Sequence, residues 1–370
     1  MNAALATAAP LPLPALDSHW REWVTYGLRW AAASPVVDSS RAAAADGGRF
    51  MTVHAYRESQ PGPRWRALFD ATWPAYRRWY SRDGLAARPS LRECRDALTR
   101  YLPELVPTWE RLCRLSGDDS VAARMLSMWR LPAFAVGCSQ AVLPGEQPTL
   151  VRNYDYDQAL FEAVIASTEY SGGRRVLGTS DMLWGLLDGM NEDGLAVSLT
   201  FGGRPDVGDG FGIPIVLRYV LETCATVEQA VSALRRIPVS QSYNVALVDS
   251  GGNHATVFVA PGEPAEVSER HATTNHRLDQ VEHPSHAARF NSVGRLYRLD
   301  ELLTRATSSR QLVAAMLAPP IRNDQFEVGF GTLYTAEYRP AAGLATWHWP
   351  ETSWTRGFDD PDDISEVRLA

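Results

Sequence analysis

The sequence predicts an α+β protein in which a helical N-terminal segment precedes a sheet-rich remainder, and three observations carry this. From Arg64 to about Arg130 the apolar residues keep a helical spacing, and Ser90 with Glu93 forms a capping-box pair. After residue 130 the texture turns to short β-branched runs separated by Pro and Gly turns. The chain has 370 residues, 45% of them hydrophobic and 21% charged, which is enough to bury a large core.

Taken in order, residues 1–50 are rich in Ala and Pro and read as a loosely packed stretch around one candidate helix near Trp20, Trp23 and Trp30. In the helical region that follows, large indoles serve to pack helices, since eight of the twelve Trp precede residue 138. The segment AVLPGEQPTLV at 141–151 is the clearest hairpin signal, with its turn at Gly145-Glu146. Further strands are expected at 194–201, 243–249 and 254–260, the last two joined by the Gly251-Gly252 turn. Helices are expected at about 213–223, at 226–236 after a Thr226/Gln229 capping pair, at 286–304 and at 309–317.

Composition excludes several function classes. All 36 basic residues are Arg, so there is no phosphate-loop, Schiff-base or kinase-type Lys. A net charge of −7 gives no broad footprint for nucleic acid or anionic lipid, and neither is expected as a partner. The charge is divided unevenly: residues 1–137 carry 18 Arg against 13 acids, and residues 138–370 carry 18 against 30. The first twenty residues lack a basic leader region and are broken by Pro12 and Pro14, and no later apolar run reaches the roughly 18 residues of a spanning helix. The widely spaced Cys94, Cys113, Cys138 and Cys224 suit a reducing compartment, so a cytoplasmic protein is expected.

Cys138 is the cysteine whose neighbours suggest chemistry; Cys94, Cys113 and Cys224 lie in helical apolar patterns and read as small buried side chains. If the hairpin turns at Gly145-Glu146, facing positions sum to about 291, and Cys138 lies opposite Arg152-Asn153-Tyr154-Asp155. A guanidinium lowers a thiol pKa and a carboxylate orients an amine, whereas the plainer reading is an ion pair at a strand edge. His271, His276, His283 and His286 cluster in sequence, but His283-Pro284-Ser285-His286 does not put two imidazoles on one helix face. No metal site and no cofactor are expected.

Gly137-Cys138-Ser139, then Arg152-Asn153-Tyr154-Asp155, Asn191-Glu192-Asp193-Gly194-Leu195, Thr274-Asn275-His276 and Arg289-Phe290 follow one another in the order of a known set of motifs. The chain resembles the N-terminal-nucleophile cysteine hydrolases, in the branch of isopenicillin N acyltransferase, with bile salt hydrolase, penicillin V acylase and acid ceramidase as relatives. The resemblance runs from about Leu91 to about Arg305 and leaves residues 1–60 uncovered.

It implies a four-layer αββα sandwich and a precursor that cuts itself between Gly137 and Cys138. The expected parts are then an N-terminal extension over 1–60, a helical first chain over 61–137 and a core over 138–370. Gly137 would tolerate a strained scissile conformation. Cys138 would attack an amide or thioester carbonyl with its own α-amine as base. Asp155 would orient that amine, Arg152 would sit beside the thiolate, Asn275 would donate to the oxyanion and Arg289 would brace the site. Thr200 stands where relatives carry Asn, so Thr200, Phe201 or a nearby backbone donor would contact substrate or oxyanion, with Tyr154 beside them. Arg277 stands where relatives often have an aromatic. The implied partners are a small acylated molecule, with acyl-CoA as one donor class, and the chain's own cleaved N-terminal segment. Hydrolase and acyltransferase share all these residues. A silent binding protein on the same fold is the alternative from outside enzymology, and specialised metabolism is a setting that fits the Arg-only composition.

Overall fold

The computed structural model describes residues 48–134, 136–171, 173–277, 287, 290–305 and 308–370. The candidate helix near Trp20 and the calls on His283, His286 and Arg289 lie outside them.

Strand β1 (Phe50–Glu58) opens the described chain, and helices α1 (Pro63–Tyr80), α2 (Leu91–Tyr101), α3 (Val106–Leu115) and α4 (Ser120–Leu126) follow. Each helix starts for a local reason. Pro63 occupies the first turn of α1, where its missing N–H costs nothing. Ser90 and Glu93 close both halves of the capping box on α2, and Asp119 accepts from the amides of Val121 and Ala122 at the start of α4. The indoles pack these helices as expected: Trp65 and Trp109 are fully buried, and Trp109 donates to the Ala123 carbonyl.

The sheet-forming part contains β2 (Gly137–Leu143), β3 (Thr149–Tyr156), β4 (Val164–Thr168), β5 (Val176–Asp181), β6 (Gly185–Asn191) and β7 (Leu195–Phe201). Helices α5 (Ile213–Thr223) and α6 (Val227–Arg236) then lead to β8 (Tyr243–Asp249), β9 (His254–Val259), β10 (Glu266–Ser268) and β11 (Ala272–Thr273). Helices α7 (Ser292–Leu303) and α8 (Ser309–Met316) precede β12 (Asp324–Gln325), β13 (Phe330–Arg339), β14 (Leu344–His348), β15 (Ser353–Arg356) and β16 (Asp363–Arg368).

One sheet has nine strands in the order β10-β9-β8-β7-β6-β5-β4-β1-β16; the other runs β11-β2-β3-β13-β14-β15, with β12 beside β13. They face each other where β2 and β3 pack on β7 and β8. Helices α5 and α6 cover the outer face of the first sheet, and α7 and α8 cover the second, giving the expected αββα order. Because α5 lies against the sheet beneath other elements, ten of its eleven residues are buried and it is apolar nearly all round, apart from the Arg218–Glu222 ion pair at 2.6 Å. Gln140 ties the two sheets with polar contacts: its Nε2 donates to the Asn244 carbonyl and Thr273 Oγ1, and its Oε1 accepts from Ser198.

The structure departs from the sequence reading in three places. Residues 50–58 form β1, parallel to β4 on one edge and antiparallel to β16 on the other, so the stretch assigned to an extension over 1–60 includes a strand of the main sheet. Its alternating FMTVHAYRE buries Met51, Val53 and Ala55. The helix expected over 286–304 is broken at Asn291, which lies in the left-handed region: Ala287 and Phe290 are helical before it, and α7 runs on from Ser292. At α6 the reciprocal bond of the capping pair is displaced: Thr226 accepts from Gln229 N–H, but Gln229 Oε1 accepts from Ala225. No described helix is long and apolar enough to cross a membrane.

Candidate active site

Antiparallel pairing of β2 with β3 sets Gly137 opposite Asp155, Cys138 opposite Tyr154 and Gln140 opposite Arg152. Cys138 and Gln140 are two apart on one strand, so their side chains share a face with that of Arg152. That face looks into the space between the sheets, and Cys138 is fully buried there.

The Arg152 guanidinium spans this space. Its Nη2 lies 3.2 Å from Cys138 Sγ, and its Nε donates to the Leu199 carbonyl on β7 at 3.0 Å. Its Nη1 pairs with Asp188 and donates to Tyr334 Oη at 2.9 Å. Asp188 is held in turn by the Tyr334 and Tyr338 hydroxyls, at 2.6 and 2.5 Å. Every arm of the guanidinium is therefore fixed, which lets a buried charge persist without moving. Burial pushes the Cys138 thiol above its ordinary pKa; Arg152 pulls it down, and Asp155 adds to the upward push. In the intact chain the sulfur is thus a protonated thiol near neutral pH.

Asn275 follows β11 and is placed by its neighbours. Thr200 Oγ1 donates to the Thr274 carbonyl at 2.7 Å, and Asn244 Nδ2 donates to the carbonyls of Thr274 and His276. The Asn275 Oδ1 accepts the Cys138 N–H at 2.9 Å, while its Nδ2 donates to the carbonyls of Val136 and Phe201 at 3.2 and 3.3 Å. Thr200 and Phe201 were expected to meet substrate or oxyanion. In the intact chain the Thr200 hydroxyl instead braces the Asn275 loop, and Phe201 presents a carbonyl to Asn275, which is an acceptor and not an oxyanion donor. His276 is bound through Nδ1 to Ser292 Oγ at 2.7 Å and lies 3.3 Å from Thr274 Oγ1.

A second arginine reaches this centre, Arg295 on α7. Its Nη1 donates to the Cys138 carbonyl and to Ser139 Oγ, both at 2.6 Å, and its Nη2 donates to Asn275 Oδ1 at 2.7 Å. It lies 3.6 Å from Asp155 Oδ2. Sequence reasoning did not single out Arg295, although one signal was there; Arg289, which it named, lies outside the described residues. Ser292, Arg295, Leu296 and Leu299 form the buried face of α7, and an Arg inside such a stripe has to be paired.

Asp155 completes the group. Its Oδ1 accepts from Thr332 Oγ1 at 2.7 Å, and its buried Oδ2 has no hydrogen-bond partner among the described residues. Burial pushes its carboxyl pKa up, against Arg295 and Thr332. Gly137 is extended within β2 and shows no left-handed φ, so the strain expected of it is not what requires glycine. Space requires it: a Cβ there would stand 2.9 Å from Asp155 Cβ and 3.4 Å from its Oδ2.

Cys138, Arg152, Asp155 and Asn275 are thus gathered at one point, with Tyr154 beneath the Arg152 guanidinium at 4.8 Å. A thiol beside a fixed cation, a carboxylate oxygen left without a hydrogen bond beside the preceding glycine, and an amide donor on nearby carbonyls are groups of the kind that nucleophilic acyl transfer uses.

Comparison with known proteins bears on the same reading. No curated protein sequence matches the chain. Among solved structures, penicillin V acylase from Agrobacterium tumefaciens is 19% identical, over 59% of this chain and 84% of that one, with a TM-score of 0.42. The Caenorhabditis elegans ortholog of N-acylethanolamine-hydrolyzing acid amidase is 17% identical, over 59% and 98%, with a TM-score of 0.42. A mutant of conjugated bile acid hydrolase from Clostridium perfringens is 14% identical, over 62% and 96%, with a TM-score of 0.40. The sequence profile of one family matches residues 142–354, more than half of the chain and all but the first strand of the hairpin that carries the cysteine. The chain therefore belongs to the acyl-coenzyme A:6-aminopenicillanic acid acyl-transferase family.

Proposed function

We propose that the protein is a self-processing acyltransferase or amide hydrolase that works through a thioester on Cys138. The observation that carries this is the placement of Cys138 Sγ 3.2 Å from Arg152, on a residue whose N–H is held by Asn275 and whose preceding glycine faces Asp155, one oxygen of which makes no hydrogen bond among the described residues.

In the first stage the Cys138 sulfur attacks the Gly137 carbonyl carbon. The C–N bond breaks, the nitrogen of Cys138 takes up a proton to become an amine, and Gly137 is left as a thioester on the sulfur. Water then adds to that thioester, releasing the Gly137 carboxylate and returning the thiol. In the second stage the new α-amine accepts the thiol proton as the sulfur attacks a substrate carbonyl, with Asp155 holding the amine and Arg152 favouring the thiolate. Departure of the Val136-Gly137 end would free Asn275 Nδ2 to donate to the oxyanion, a contact typically worth about 3 kcal/mol. Arg295 keeps Asn275 Oδ1 and the Cys138 carbonyl in place. Transfer to water gives hydrolysis and transfer to an amine gives acylation; acyl-CoA is one class of donor, and specialised metabolism is a setting for either. All four cysteines are unpaired, which suits work in the cytoplasm.

Intact-mass measurement tests the first stage: wild type should give chains of roughly 15 and 26 kDa by proportional length. Cys138→Ala should stay whole. A wild-type chain that remains uncut and still turns over an amide or thioester would overturn the N-terminal mechanism and return a side-chain base, His276 first, to consideration.

A further inference from the structure

Between Trp129, which bridges to Phe211, and the start of β2 at Gly137, residues 131–134 and 136 belong to no helix or strand. Backbone packed into a protein without a ladder has to find its hydrogen bonds elsewhere. Side chains supply them here. Arg82 Nη2 donates to the Ala133 carbonyl at 3.2 Å, and Asn275 Nδ2 donates to the Val136 carbonyl at 3.2 Å. Between these two, Gln241 takes both polar groups of a single residue. Its Oε1 accepts the Phe134 N–H at 3.2 Å, and its Nε2 donates to the Phe134 carbonyl at 2.9 Å.

Gln241 lies just before β8 and is fully buried. Tyr243 Oη donates to its Oε1 at 3.4 Å, which supports the same orientation of the amide. The Phe134 ring is set edge-on to Trp79, 6.3 Å between centroids, and lies 6.5 Å from the ring of Tyr243. Phe134 is thus held by backbone and ring together, three residues before Gly137.

Asn275 holds the scissile peptide from both sides, through the Val136 carbonyl and the Cys138 N–H. A single grip leaves the preceding chain free to pivot about it, and a second grip upstream sets its direction. Direction matters because the cut is an attack by a side chain on the peptide bond just before it. The sulfur of Cys138 bonds to the Gly137 carbonyl carbon, the C–N bond breaks, and the thiol proton passes to the departing nitrogen. Gly137 is left as a thioester that water hydrolyses. A misplacement of about 1 Å can cost roughly 100-fold in rate.

We propose that Gln241 is a positioning residue for self-cleavage, clamping Phe134 through its backbone so that the Gly137 carbonyl is presented to the sulfur. The proposal rests on the self-processing reading of Cys138. One bond of the clamp is accepted and the other donated, so the side chain must offer an acceptor and a donor at once, as an amide does.

That requirement gives the test. Full-length chains are made by cell-free synthesis, moved after synthesis is stopped into buffers from pH 5.5 to pH 8.5, and followed by intact mass. Gln241→Met keeps the length of the side chain and removes both bonds, so its cutting rate should fall at least tenfold below that of wild type. Gln241→Glu can close both bonds only as the protonated acid, because a carboxylate has no hydrogen for the Phe134 carbonyl. Its rate relative to Gln241→Met should therefore rise at least tenfold from pH 8.5 to pH 5.5, a response that loss of packing alone would not produce. Tyr243, the titratable group bonded to Gln241, is kept neutral over this range by burial. Should one variant not fold by circular dichroism, the other carries the test together with hydrogen exchange on a Cys138→Ala background. There the peptide covering residues 131–137 should exchange at least tenfold faster without Gln241, and unchanged exchange would overturn the clamp. Variants cut as fast as wild type, or a Glu variant with the pH response of the Met variant, would overturn the role of Gln241 alone. A wild-type chain that stays whole would overturn the self-processing reading, and this role with it.

Discussion

Gly137 sits where the backbone of β3 leaves no room for a side chain, and the consequence is measurable without any substrate. In Gly137→Ala the new methyl meets Asp155 Cβ and the Asp155 carbonyl, so β2 must shift or Asp155 must turn. Overpacking of this kind costs typically 1–3 kcal/mol. Urea unfolding of the variant on a Cys138→Ala background, where no cutting intervenes, should show that loss relative to Cys138→Ala alone; an unchanged midpoint would mean that the strand yields freely. A second residue sets a pH dependence. Burial pushes the Glu162 carboxyl from 4.5 up to about 7, beside Asp181 and the Tyr76 hydroxyl. The folded chain thus keeps a proton that the unfolded chain releases, and this contribution to stability is complete below about pH 4.5 and is lost as pH rises through 7. Tm should therefore fall less between pH 5 and pH 8 in Glu162→Gln than in wild type, and equal slopes would count against the buried-acid account. At this scale the sequence was most informative where the chemistry is local. Cys138, Arg152 and Asp155 lie on one hairpin, so the register of two strands brings them together. Asp188, Asn244 and Arg295 reach the same centre from a different strand pair or helix, and no spacing along the chain relates them to Cys138.

Strands and helices were unequally legible for reasons visible in their packing. The helices α2, α5, α6 and α8 carry caps, a Pro at the first turn or a regular apolar face, and the sequence signals match their bounds closely. Strands β5 and β6 were not anticipated because each contains a glycine where the two backbones approach. A Cβ on Gly178 would stand 2.3 Å from the Asp188 carbonyl oxygen, and one on Gly189 would stand 3.0 Å from the Leu177 carbonyl oxygen. The same glycines read as breakers along the chain. Strand β1 escaped because it follows an Ala-rich stretch, and its alternation is split between small apolar residues and Thr, His, Tyr and Arg. Removing residues 1–60 tests its weight. The loss of buried Met51, Val53 and Ala55 is worth roughly 5 kcal/mol of apolar burial. At about 2 °C per kcal/mol for a chain of this size, Tm should drop by about 10 °C, or the protein should become insoluble through the facing edges of β4 and β16. A truncated protein that melts with wild type would show the strand to be dispensable.

Across the whole molecule, the segment before Cys138 and the segment after it are interlocked rather than merely adjacent. Strand β1 pairs along both edges with strands of the later segment. Trp184 donates to the Leu126 carbonyl, and Thr108 to the Tyr170 carbonyl. The uneven charge noted in the sequence appears at the rim, in Arg49–Glu327 at 3.0 Å, Arg57–Asp359 at 3.2 Å and Arg130–Asp209 at 3.2 Å. Exposed pairs of this kind are each worth about 1 kcal/mol or less, so salt should not part the segments. If Gly137-Cys138 is cut, both chains should elute together from gel filtration in about 1 M NaCl, where the Debye length is about 3 Å. Release of a folded, fully active 138–370 fragment would show the first segment to be a disposable propeptide.

The edge that β16 shares with β1 also bears on when such an enzyme can come into being. Residues 363–368 pair with residues 50–55, which are made more than 300 positions earlier. Thr332 and Tyr334, which hold Asp155 and Arg152, are likewise made almost 200 positions after Cys138. A nascent chain that has already exposed Cys138 therefore has neither the closed sheet nor the anchored charges around the sulfur. If Gly137-Cys138 is cut by the proposed route, the cut has to wait until residues 332–368 have been made, and a copy that stops before them would lack the groups that hold Asp155 and Arg152.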